Sequence, residues 1–247
     1  MTIEKLFTPA QRQRLYEAIP ARYSCRSYAG APSAADWASL SYAAGRYELP
    51  GTRLLLRTVD PDIFTGIVLG YGKITGCTTV AVLCASMGTP HSRIHAGVLG
   101  EAFCLEAAAL GLGTCWVGGT YKRKQLEVPL QADETVLAII AVGVPAKGSA
   151  EGHKRKPLDR LCHGNPQAWP EEILAAAKAV QLAPSALNLQ PWEMKLTGER
   201  FFIDTPDRQQ LDLGIALCHA ELAFTTPHRW LLGDGRREPL ACADFSL

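Results

Sequence analysis

Four short segments carry side chains that could hold a small, planar, negatively charged ligand. In Arg22-Tyr23-Ser24-Cys25-Arg26, alternate positions bear two guanidinium groups and a hydroxyl, so an extended backbone would direct all three to one side. Arginine's planar donor fork matches phosphate oxygens two at a time, and serine adds a short neutral donor. A pair of solvated surface arginines is the plainer reading of that segment alone. In Ala183-Pro184-Ser185-Ala186-Leu187-Asn188-Leu189-Gln190-Pro191-Trp192, two prolines and an asparagine impose a turn rich in side-chain donors and acceptors, or simply a helix-to-strand connection. The glycines of Gly111-Leu112-Gly113-Thr114-Cys115-Trp116-Val117-Gly118-Gly119 would let backbone amides approach a flat ligand while Trp116 offers an apolar ring; tight packing explains them as well. His153-Lys154-Arg155-Lys156-Pro157-Leu158 is a basic patch, either a solvated loop or a cover for a phosphate.

Other chemistries lack their residues. Gly143 and Gly148 have phosphate-loop spacing, but Ser149 and Ala150 stand where lysine and a hydroxyl residue are needed. Gly111-Leu112-Gly113 lacks the third glycine of a dinucleotide fingerprint. None of the six histidines sits in H-E-x-x-H, and no G-x-S-x-G elbow is present. The eight cysteines form no C-x-x-C pair, which predicts buried reduced thiols and no structural metal. A net charge of +1 supplies no global field for nucleic acid or an anionic membrane surface, so any anion site must be local. The start of the chain, Met1 to Tyr16, mixes charges with isolated apolar residues and has no secretory h-region or anchor. The best apolar run, Glu134 to Pro145, is too short to span a bilayer. A cytoplasmic location is the expectation.

The elements that would position these segments are legible as alternating helices and strands, and 247 residues with 47% hydrophobic suffice for one large or two small domains. After a short polar start, apolar spacing predicts a helix over 36–44 with Ser33 as N-cap. Strands are predicted at 53–59 and 78–86, then a helix at 94–110, apolar around most of its circumference and capped by Gly111. A strand over 135–144, stopped by Pro145, precedes a polar segment, 147–160, that reads as a surface linker. Downstream the order recurs, with a helix at 170–180, strands at 193–196 and 200–203, and an apolar helix at 211–224. The 37–44 stretch has its counterpart in 173–180, and Gly97-Val98 in Gly214-Ile215, as if the second half were a degraded copy of the first.

In combination the four segments resemble the flavin-dependent nitroreductase family, whose members carry R-x-S-x-R near the start, P-S-x-x-N-x-Q-P-W, G-L-G-T-C-W and a late basic R-K-P-L. The resemblance covers about residues 18 to 160 and 172 to 224. One departure is informative: the P-S-x-x-N-x-Q-P-W segment, which in ordinary members lies between the first and third, here follows the basic patch. The place it would normally occupy, Ala43 to Thr52, has lost the Asn, Gln and Trp, while the second half lacks R-x-S-x-R and G-L-G-T-C-W. Ordinary members are homodimers with flavins at the subunit interface, so the chain resembles a fused pseudo-dimer keeping one of two sites. The implied fold is α+β, nitroreductase-like, with a first half over 1–160 and a second, degraded half over 161–247.

The resemblance implies one tightly bound FMN per chain. Arg22, Ser24, Arg26, Arg155 and Lys154 would hold its phosphate and ribityl chain, and Pro184, Ser185, Asn188 and Gln190 would approach from the other half. Val117, Gly118 and Gly119 would set a backbone amide near the flavin N5, and Tyr71, Gly72 and Lys73 would reach the pyrimidine edge. The implied reaction is ping-pong, with NAD(P)H as reductant and a nitroaromatic, quinone or other small electrophile as acceptor, and no dedicated catalytic side chain. The implied partners exclude nucleic acid and membrane. The chain would be monomeric by the pseudo-dimer logic, with further dimerisation open. A flavin-binding storage or sensing protein without turnover, or a scaffold whose site has decayed, are the alternatives.

Overall fold

The computed structural model describes residues 1–65, 73–148, 154–206, 209–233 and 241–246. Its elements are, in chain order, α1 (Pro9–Ala18), β1 (Tyr28–Gly30), α2 (Ala34–Arg46), β2 (Thr52–Thr58), β3 (Thr79–Ser86), α3 (Ser92–Ala109), β4 (Gly113–Val117), β5 (Glu134–Pro145), β6 (Cys162–His163), α4 (Glu171–Leu182), β7 (Glu193–Thr197), β8 (Arg200–Asp204), α5 (Gln210–Ala223), β9 (Arg229–Leu232) and β10 (Ala241–Asp244).

Local chemistry sets several of these boundaries. Ser33 Oγ accepts from the Asp36 amide while the Asp36 carboxylate accepts from the Ser33 amide, a reciprocal cap that starts α2. At the end of α3, Gly111 sits at φ 75°, and the Leu112 and Gly111 amides donate to the Ala107 and Ala108 carbonyls, which closes the helix as a Schellman motif. The chain start differs from expectation: it contains α1, capped by Thr8 and Gln11 with Pro9 in the first turn. Only Leu15 and Ala18 of that helix are buried, too few to give an apolar period. The glycine-bearing run after α3, for which the sequence predicts no element, forms the strand β4.

Two sheets result. In the first, β3 lies between β2 and β5, β4 pairs with β5 on the side away from β3, and β1 joins β5 near Pro145. In the second the order is β6-β7-β8-β10-β9, with β6 parallel to β7 and the other pairs antiparallel. The run β2-β3-β5-β4 thus has the same order and directions as β7-β8-β10-β9. Each run is preceded by a helix and interrupted by one between its second and third strands in sequence.

The first sheet is buried on both faces by strict alternation. Ala81, Leu83 and Ala85 of β3 face the main core with the helices, and Val80, Val82 and Cys84 face a second cluster containing Ile63, Phe64, Cys115 and Val117. At the centre of the main core, α3 packs against α5. Every residue from Ala96 to Ala107 and from Asp212 to Leu222 is buried, which explains the all-round apolar character of both helices. They cross at Gly97 and Gly214, whose Cα atoms come so close that a Cβ on either would lie 2.8 Å from the other's Cα. All eight cysteines are free and buried. Among the described residues no helix is long and apolar enough to cross a membrane.

Candidate functional site

A cavity of about 340 Å³, within the size range of cofactor sites, opens where β4, the 24–26 segment, the start of α5 and the 184–188 turn meet. Ser24 and Arg26 reach it because their segment runs alongside β4: Ser24 bridges to Thr114, and the Cys25 amide donates to the Thr114 carbonyl at 2.8 Å. Alternation then buries Cys25 between them, and Tyr28 Oη donates to the Cys25 carbonyl to fix the register. The close approach depends on Gly113, where a Cβ would lie 2.6 Å from that of Cys25. Gly118 and Gly119 differ, since a Cβ on either would meet nothing within 4 Å; their backbone faces open space.

Arg22 departs from the expected shared direction. Its own backbone is extended at the end of the short 3-10 turn Ile19–Ala21, but the Cys25 amide donates back to the Tyr23 carbonyl at 3.1 Å, a local turn at Ser24 that breaks the alternation expected to align Arg22 with Ser24 and Arg26. Its side chain is buried behind the cavity, with Nε 3.4 Å from Glu101 Oε1. Glu101, fully buried on α3, also accepts from Trp116 Nε1 at 2.9 Å and lies 3.0 Å from Nε2 of His219 on α5. His219 Nδ1 in turn meets the Ala179 carbonyl at 2.8 Å. One carboxylate therefore ties the R-x-S-x-R segment, β4 and the second-half helices together beneath the site.

Arg155 lines the cavity and is held by the second half: Nη1 donates to Asn188 Oδ1 at 2.7 Å and Nη2 to the Leu182 carbonyl at 2.9 Å. Burial, reinforced by the charge of Arg22 and partly offset by Glu101, pushes its pKa down to about 10. It remains protonated at neutral pH, a largely desolvated charge that an anionic partner would stabilise. Its neighbours are stitched to the same turn. The Lys156 amide donates to Gln190 Oε1 at 2.7 Å, Lys156 Nζ to the Gln190 carbonyl at 3.0 Å, and Asn188 Nδ2 to the Lys154 carbonyl at 3.0 Å. Residues 154–156 of the expected surface linker are thus a pinned strap. The turn itself is conformationally costly, with Leu187, Asn188 and Gln190 at φ 51°, 53° and 48°, a region that non-glycine residues other than Asn and Asp rarely enter.

Of the residues singled out in the sequence, Ser24, Arg26, Val117, Gly118, Gly119, Arg155, Pro184, Ser185 and Asn188 line one cavity. Arg22 and Gln190 are buried and stand behind it, bracing Glu101 and the strap. Lys73 and Lys154 are exposed and do not line it. Tyr71, Gly72 and His153 lie outside the described residues. The cavity also takes in Leu187 of the singled-out turn, and Phe64, Ile74, Leu211, Asp212 and Ile215, which sequence reasoning missed. Asp212 left a signal, as a lone carboxylate in the apolar run Leu211-Asp212-Leu213-Gly214-Ile215; the others are indistinguishable from core.

This mixed fold, with an arginine-lined cavity drawing on both ends of the chain, has a family. Residues 14–224 match the model described as "Putative TM nitroreductase", and the chain belongs to that nitroreductase family. Among solved structures it is similar, over 94% of both chains and at 25% identity with a TM-score of 0.65, to a protein of Thermotoga maritima MSB8 described as a putative nitroreductase. A protein of Desulfovibrio desulfuricans described as a "putative nitroreductase in complex with fmn" shares 24% identity over 63% of this chain and 98% of its own, with a TM-score of 0.49. A Bacteroides fragilis nitroreductase with bound FMN shares 18% over 58% and 94%, with a TM-score of 0.45. No curated protein matches the sequence significantly.

Proposed function

We propose that this cavity binds one FMN per chain and that the protein is an NAD(P)H-dependent oxidoreductase of nitroreductase type. The observation that carries the reading is the convergence on one cavity of two guanidinium groups, Arg26 and Arg155, with the hydroxyl of Ser24 and a strip of open glycine backbone at Gly118 and Gly119. Arginine forks suit a phosphate, and the depressed pKa of Arg155 marks a site that gains from an anion. The open backbone suits a flat ring, and Phe64, Ile74 and Trp116 supply apolar wall. When bound, FMN would take a hydride from NAD(P)H and pass two electrons, in ping-pong alternation, to a nitroaromatic, quinone or other electrophile. The protein's own part is to hold the phosphate, exclude water from the ring, and leave one face open.

We further propose that residues 1–160 and 161–247 are related halves forming an intramolecular pseudo-dimer with a single retained site. The shared strand order of the two sheets supports this. So does the reciprocal crossing of α3 and α5, in which Gly97 would meet Leu211 and Gly214 while Gly214 would meet Ile94 and Gly97. Equivalent positions in mutual contact are what a two-fold interface produces.

The test is the visible spectrum of the purified chain. A yellow protein with one FMN per chain, bleached anaerobically by NADH or NADPH and recoloured by an acceptor, supports the whole reading. Yellow protein that neither nucleotide bleaches reduces it to flavin binding without turnover, and protein that takes up no FMN overturns it.

A further inference from the structure

Among the described residues the cavity wall carries three charged side chains: Arg26, Arg155 and Asp212. If the two guanidinium groups are committed to the FMN phosphate, Asp212 is the one charge left to meet whatever enters beside the ring. It stands in the first turn of α5 with Leu211 and Ile215, which share the wall. The residue is only 5% exposed, and among the described residues no cation lies within ion-pair distance of it. Burial pushes its carboxyl above the ordinary aspartate pKa, opposed by the Ala186 amide. A buried carboxylate without a cation is costly, and a helix N-terminus offsets only part of that cost.

A purely structural role accounts for half of this group. Asp212 Oδ1 accepts from the Ala186 amide at 3.0 Å, which tethers the 184–188 turn to α5. An asparagine would do the same without a buried charge. Among the described residues the second carboxylate oxygen has no donor, although the residue lines the cavity.

We propose that Asp212 determines acceptor specificity: it makes the open end of the cavity take planar aromatic acceptors that are cationic or present N–H or O–H donors, and reject those bearing a carboxylate. The inference rests on the FMN reading of the same cavity. An entering donor or cation satisfies the second oxygen, whereas an anionic acceptor meets like charge in a site too dry to screen it.

The test uses full-length protein reconstituted to one FMN per chain and three non-reducible, nearly isosteric ligands: benzamidine, benzamide and benzoate. Binding is read from the perturbation of flavin absorbance, independently of turnover. Wild-type protein is expected to bind benzamidine at least about tenfold more tightly than benzoate, with benzamide between them. Asp212→Asn, which keeps an acceptor for Ala186, should bring the ratio close to one. Asp212→Ser serves the same purpose if the asparagine variant loses flavin. Benzamidine that does not bind, benzoate that binds equally well to wild type, or a preference that survives in a flavin-loaded variant would overturn the proposal. Failure of the FMN reading is distinct, because such protein stays colourless before any ligand is added.

Discussion

Gly97 of α3 and Gly214 of α5 pack backbone to backbone, and a side chain on either would collide with the main chain of the other. Both obstacles are backbone, which cannot swing aside. Gly97→Ala or Gly214→Ala should therefore cost about 3 kcal/mol, the upper end of the overpacking range. For a chain of this size that is a fall of about 6–12 °C in Tm. Thermal melts of the two variants check this, and an unshifted Tm would mean that the helices can separate at no cost.

Asn188 accepts from Arg155 and donates to the Lys154 carbonyl. Removing a neutral acceptor from a charged donor costs about 1.5–3 kcal/mol. Asn188→Ala is expected to weaken FMN binding roughly ten- to hundredfold, since RT ln 10 is about 1.4 kcal/mol. Flavin fluorescence titration gives the comparison. An unchanged Kd would remove the second-half turn from the site.

Arg22 and Arg26, though only four residues apart, should behave differently. Arg22→Ala leaves the buried Glu101 without its guanidinium partner, and breaking such a pair costs about 3–5 kcal/mol, so the flavin-free protein itself should melt earlier. Arg26 lies half-buried on the cavity wall, and Arg26→Ala should weaken FMN binding with little effect on the Tm of flavin-free protein. The reverse pattern would restore the shared direction expected of the R-x-S-x-R segment.

How much of this was legible differs from element to element. The long buried helix, the cap at Ser33 and the central strand β5 announce themselves because each signal is local: an apolar circumference, a short-range cap, a β-branched run. Helix α1 was missed although Thr8, Pro9 and Gln11 spell a capping box, because its surface is mostly polar and tertiary packing against α3 and α5 holds it. The short strands β1, β9 and β10 carry too few residues to show a period. At the site, the polar members were readable from residue type, whereas the side to which Arg22 turns depends on Glu101, about eighty positions away. Asp212 and the apolar lining emerge only when α5 is placed against β4.

A second carboxylate knot supplies a pH test. Glu221 on α5 pairs with Arg12 at 2.6 Å, accepts from Trp230 Nε1 at 2.8 Å and lies 2.8 Å from His228 Nε2. His228 Nδ1 faces the Thr226 carbonyl, so both ring nitrogens are set to donate. Burial alone would lower the His228 pKa, but the hydrogen bond and charge of Glu221 carry it above the ordinary histidine value. A raised folded-state pKa means that the stability from this pair is complete below the unfolded value of about 6.5 and is lost as pH rises through the folded one. The Tm difference between wild type and His228→Phe should then be larger at pH 6 than at pH 8.5. Equal differences at both would show that the charge on His228 contributes nothing.

The burial of α3 on all sides has a consequence for how the protein is made. Its apolar surface is complete once Ala109 has been synthesised, but its cover, α5, begins only at Gln210, about a hundred residues later. The growing chain must carry an open hydrophobic surface until α5 emerges, so α3 is the segment a chaperone would grip and the one from which misassembly would begin.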